Sequence, residues 1–75
     1  MLDKKDLLKL LAENIRIERA RRKISQESLA ELSDITTQHL YRIENEKVCP
    51  TIYVVANIAT ALGVNIDTLL PLKFD

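Results

Sequence analysis

The stretch "SQESLAELSDITTQHLYR", residues 25–42, contains two polar openings, each followed by apolar residues at helical spacing. Ser25 and Thr36 are residue types that accept a hydrogen bond from the free amides at a helix start. They predict a short helix over residues 26–33 and another over residues 37–44. Asp34 falls where the chain must turn, and Asp enters the left-handed region more readily than most non-glycines. Leu29 and Ala30, with Leu32 close by, supply the buried side of the first of these helices. Leu40 and Ile43 do so for the second, Ala30 is small where the two cross, and Ile35 plugs the turn. With those side chains turned inward, the opening turn of the second helix presents Thr37, Gln38 and His39 outward. Arg42, four residues beyond Gln38, lies near the same face.

Working outward, a long helix is predicted over residues 3–22. Leu8, Leu11, Ile15, Arg19 and Arg22 follow helical spacing, and cations gather at its end, where they suit the helix dipole. A second apolar stripe, Leu7, Leu10 and Ile17, leaves room for a further contact. After a loop over residues 45–50, Thr51 caps a fourth helix with Ile52, Val55, Ala56, Ala59 and Leu62 on its buried stripe, and Gly63 ends it. "TIYVVANIAT" is rich in β-branched residues and reads as strand by propensity. Its 3.6-residue period, its length and its flanking Pro50–Thr51 and Gly63 favour helix. Asn65 then caps a brief fifth helix over residues 66–70, stopped by Pro71. The expectation is an all-α, compact five-helix domain.

At 75 residues, with 47% hydrophobic and 29% charged residues, the chain suits one soluble domain spanning residues 1–75. A chain this short buries only about 60% of its unfolded surface. Its single cysteine, Cys49, cannot close an internal disulfide, which fits a reducing cytoplasm. It reads as an ordinary loop thiol. The apolar "LLKLLA" near the start is too short and too interrupted by charge for a signal peptide or membrane span. No paired carboxylates, glycine loop or metal-ligand spacing points to an enzyme, a metal, a cofactor or a small-molecule ligand. His39 has no cysteine or second histidine near it.

Net charge is zero, yet residues 1–24 carry eight Lys/Arg against four Asp/Glu, and residues 25–75 three against seven. That asymmetry leaves room for a basic face. The competing explanation is a solvated, charged helix surface.

"SQESLAELSDITTQHLYRIENEK", followed by "PTIYVVANIATALGVNIDTLL", resembles the Xre/Cro-type helix-turn-helix of phage repressors and bacterial regulators. The likeness covers residues 11–70 and rests on an ordered series: "SQE" opening the second helix, "RIEN" closing the third, and "ALGV" before the fifth. It implies a phage-repressor-like, sequence-specific regulator of transcription that binds double-stranded DNA in the major groove. Positions matching Thr37, Gln38 and Arg42 are implied to reach base edges, with His39 beside them. Gln26, Thr36 and Asn45 are implied to meet the DNA backbone, with Lys47 next to them in the loop. Arg19 and Glu44 match a partly buried ion pair joining the first helix to the third. The chemistry suits these roles, because Gln pairs bidentately with adenine, Arg with guanine, and a Thr methyl packs on thymine's.

The sequence departs from that pattern in four places. Asp34, Lys23 and Glu46 stand where glycines are usual, and Ser28 replaces the glutamate of the capping box. One helix-turn-helix makes few contacts, so such domains pair on two half-sites about 34 Å apart. Ile66, Leu69, Leu70, Leu72 and Phe74 are the candidate homodimer surface, with Tyr53 and Val54 as further apolar surface. Tyr41 is left open between packing and a backbone contact. No sensor domain is expected to follow. The alternative function is a protein-interaction module, antitoxin-like or accessory, that keeps the fold with weak or no DNA binding; the zero net charge, Asp34 and Glu46 favour it.

Overall fold

The computed structural model describes residues 2–72. Among these residues the chain forms five helices and no strand: α1 (Lys4–Arg21), α2 (Gln26–Leu32), α3 (Thr37–Glu44), α4 (Ile52–Leu62) and α5 (Ile66–Leu69). The β-branched run in α4 is helical. Its Val55, Ile58, Ala59 and Leu62 are buried, and burying a Val, Leu or Ile side chain is worth about 1.5–3 kcal/mol, more than the propensity difference.

Four of the five helices start on a side-chain cap. Asp3, Ser25, Thr36 and Thr51 each have extended backbone and accept an amide hydrogen of the first helical turn. In α2 the missing glutamate is replaced by a smaller arrangement. Ser25 Oγ accepts from the Ser28 amide and donates to Ser28 Oγ, both at 3.0 Å. The fifth cap differs from expectation: Asn65 has extended backbone but makes no side-chain bond to α5.

Helix ends place residues in the left-handed region at Lys23, Asp34, Glu46 and Gly63. Gly63 adopts φ 72° without a Cβ to crowd its carbonyl. The other three are the positions where glycine was expected, and a left-handed L-residue costs roughly 1–2 kcal/mol, less for Asp. The exits after α1, α2 and α3 therefore carry strain that the exit after α4 does not.

One core joins Leu11 and Ile15 of α1, Leu29 and Ala30 of α2, Leu40 and Ile43 of α3, and Leu69 of α5 to the buried face of α4. Ile24, Ile35, Val48, Val54, Val64 and Leu70 pack around its edge. Three sequence expectations are corrected here. Leu32 is 64% exposed, because the end of α2 turns its neighbour Ser33 inward instead. Ile52 is 69% exposed at the first turn of α4, and Ile58 takes its place on the buried stripe. Leu69, expected on a dimer surface, is fully buried where α5 packs on α1 and α4. Of the other residues expected there, Leu70 is half-buried, Ile66 and Leu72 are exposed, and Phe74 lies outside the described residues. In the second stripe of α1, Leu7 and Leu10 are half-buried and Ile17 is exposed.

Candidate nucleic-acid interface

α3 is anchored at both ends by polar groups. At its start, Thr36 Oγ1 accepts from the His39 amide at 3.0 Å. At its end, the buried Glu44 carboxylate gathers donors from two other helices. Arg19 of α1 grips it bidentately, Nε to Oε2 and Nη2 to Oε1, both at 3.0 Å. Gln26 Nε2 of α2 donates to the same Oε1 at 3.2 Å. The Glu44 carbonyl in turn accepts from Arg16 Nη1 at 2.9 Å.

The glutamate side chain is 2% exposed and the arginine 25%. Removing a carboxylate from water is costly, and it is tolerated because several charge-assisted bonds replace the lost hydration. The consequence is geometric. α1, α2 and α3 meet at one carboxylate, which sets the pitch and rotation of α3 against the body.

That rotation decides which side chains of α3 face out. Leu40, Ile43 and Glu44 are buried; Thr37, Gln38, Tyr41, Arg42 and Asn45 are exposed, and His39 is half-buried. A helix turns about 100° per residue, so Arg42 lies about 40° to one side of Gln38 and Tyr41 about 60° to the other. Asn45 falls between them, while Thr37 and His39 lie on opposite margins, about 100° from Gln38. The outward stripe is therefore Gln38, Tyr41, Arg42 and Asn45. Sequence reasoning left Tyr41 out of it, although its spacing from Gln38 carried the signal. Asn45 also closes the helix, its Nδ2 donating to the Tyr41 carbonyl at 2.8 Å.

The residues expected at the DNA backbone are dispersed around this stripe. Thr36 precedes α3 and Lys47 follows its end, both exposed. The Lys47 amide is tied to the Arg42 carbonyl at 2.8 Å. Gln26 is half-buried at the start of α2 and already engaged with Glu44.

Three of the eight cations of residues 1–24 are held in ion pairs within the fold. Arg19 is paired with Glu44, and Arg22 and Arg21 hold Glu18 at 2.6 and 3.4 Å. Lys4, Lys5, Lys9 and Lys23 are exposed, Lys23 at the α1–α2 turn. On the other side of α3, an open groove is lined by Glu27, Glu31, Asp34, Ile35, Thr36 and Thr37. Three carboxylates beside the start of α3 oppose the positive end of its dipole. Among the described residues no cluster of His, Cys, Asp or Glu could hold a metal ion, and no helix is long and apolar enough to cross a membrane.

Five helices around one core, with the second and third joined by a tight turn and the third presenting a polar stripe, define a helix-turn-helix protein. The sequence profile of the helix-turn-helix family HTH_3 matches residues 15–69, and the chain belongs to that Xre/Cro-like family. Solved structures agree. A hypothetical transcription factor from Neisseria is 30% identical, with a TM-score of 0.84 over 93% of this chain and 80% of that one. The restriction-modification controller protein C.AhdI from Aeromonas hydrophila is 26% identical, with a TM-score of 0.80 over 83% of this chain and 94% of its own. The clp gene regulator ClgR from C. glutamicum is 25% identical, with a TM-score of 0.81 over 87% and 84%. No curated relative matches the sequence at a significant level. The family match and these neighbours support DNA-binding transcription regulation.

Proposed function

We propose that the chain is a sequence-specific DNA-binding regulator of transcription that acts as a homodimer, with α3 lying in the major groove. The observation that carries this reading is the outward stripe of α3, held at fixed rotation by the Glu44 clamp. Gln38 and Arg42 bring bidentate hydrogen-bonding groups to base edges, and Thr37 and His39 flank them. A good bidentate pair is worth roughly 1–3 kcal/mol of discrimination against the wrong base. Thr36, Asn45 and Lys47 meet the phosphates. Gln26 reaches a phosphate with the amide atoms that Glu44 does not engage.

Of the proposed phosphate contacts, Gln26, Thr36 and Asn45 are uncharged and only Lys47 brings a cation, so few phosphates are neutralised by charge. Binding then falls only modestly with salt, since the slope follows the number of phosphates neutralised. The homodimer uses the exposed Ile66 and Leu72 with the edge of Leu70.

A second reading, a protein-interaction module, is favoured by the acid-lined groove beside α3. Selection from random duplex DNA followed by anisotropy titration across salt separates the two. The regulator yields an enriched motif with two-fold symmetry and a shallow salt slope. Equally weak binding to every duplex would leave the interaction module standing. Gln38→Ala and Arg42→Ala lose preference for the motif while keeping the helical circular dichroism of the parent. Sedimentation with the selected duplex finds two chains bound; a single bound chain would remove the homodimer.

A further inference from the structure

We infer that Tyr41 is a specificity-determining residue whose ring reads the C5-methyl group of a thymine in the major groove. The inference rests on the DNA-reading role proposed above and adds a contact that the hydrogen-bonding residues of α3 cannot make.

Tyr41 is 53% exposed and forms one edge of the outward stripe, about 40° beyond Asn45 and about 60° from Gln38. Isolated exposed aromatics are ordinary on protein surfaces. This one differs by its setting. Its backbone carbonyl is held by Asn45 Nδ2, and its helix is clamped three residues later through Glu44.

Within α3, side-chain length increases from the first turn to the second. Thr37 and Gln38 open α3, and the longer Tyr41 and Arg42 sit one turn later, about 6 Å further along the axis from Thr37. A helix that enters the groove by its N-terminus draws away from the bases towards its other end. Shorter residues reach first, and only long ones span the gap a turn later.

The chemistry selects the target. Apart from the phenol oxygen at its tip, the Tyr41 side chain is a flat apolar surface. Thymine's C5-methyl is the apolar feature that base pairs present on the major-groove edge. Gln38 and Arg42, both to one side of it, supply the donors and acceptors, so the aromatic ring reads what they cannot.

The test uses the selected duplex with each dT replaced in turn by deoxyuridine, which lacks only the methyl group. Affinities are measured by anisotropy for the parent protein, Tyr41→Ala and Tyr41→Phe. Burying one methyl corresponds to about a fourfold change in affinity, so the parent should bind about fourfold more weakly when one particular dT per half-site is replaced. Tyr41→Ala should bind the two duplexes equally, and Tyr41→Phe should keep the parent's preference. A parent indifferent to every replacement overturns the inference. So does a Tyr41→Ala protein that keeps the preference, which would assign the methyl contact to Thr37. Loss of the preference in Tyr41→Phe would assign Tyr41 to a contact through its hydroxyl and would equally overturn it. Circular dichroism establishes that each variant is folded. If the selection returns no motif, the DNA-reading role itself fails, a result distinct from each of these.

Discussion

Where α1, α2 and α3 meet, a buried carboxylate takes a bidentate arginine and a glutamine amide, and its own carbonyl is capped by a second arginine. Where α5 returns to α1, the attachment is the buried Leu69 side chain and one amide, Asn14 Nδ2 donating to the Leu69 carbonyl at 3.0 Å. The first junction is directional, because each bond fixes an angle as well as a distance. The second is mostly apolar contact, which holds α5 down without dictating its rotation. An element that reads hydrogen-bond patterns needs the first kind of support. A single-turn helix without a side-chain cap has only the second and is the easier of the two to open.

Three substitutions bear on this contrast, in descending size. Glu44→Ala removes the shared acceptor and leaves Arg19 without its partner. Breaking a buried pair costs about 3–5 kcal/mol, enough to bring a domain of this size close to unfolding. Urea denaturation monitored by circular dichroism reads it; a loss below about 1 kcal/mol would reduce the clamp to the value of a surface pair. Asn14→Ala leaves the Leu69 carbonyl without its donor and should cost about 1 kcal/mol. Hydrogen exchange should accelerate in α5 while α3 keeps its protection. Equal acceleration in both would show that the two junctions open as one unit.

Ser33→Ala is the smallest. Ser33 is buried with its Oγ lacking a hydrogen-bond partner among the described residues. Removing it should leave stability unchanged or raise it by up to about 1 kcal/mol. A clear loss in urea denaturation would mean that this hydroxyl is satisfied in solution and adds to the directional bonding at this end of the molecule.

The helix-turn-helix was legible in residues 25–44 because its signals are local. A cap residue, an apolar spacing of three and four, and a residue tolerant of the left-handed region act within one or two turns of chain. The same locality explains why α4 could be recognised as helix against its β-branched composition. Exposure at helix ends was less legible. Leu32 and Ile52 fit an apolar pattern, but each lies in a terminal turn beyond the edge of the packed face. Tyr41 was within reach of spacing alone and was passed over because its residue type suits packing as well as contact.

The sequence by itself determined that this chain forms five helices, where three of them are capped, and that residues 36–44 make a helix with one apolar and one polar face. Those properties come from interactions between near neighbours, which residue order specifies directly. Tertiary structure alone decided that Leu69 belongs to the core, that Arg19 is held by Glu44, and that α3 is rotated so that Gln38, Tyr41 and Arg42 face outward together. Each depends on partners 25 or more residues apart, or on a rotation those partners impose, as Arg19 with Glu44 and Asn14 with Leu69 illustrate. Such pairings follow from where the helices come to rest against one another.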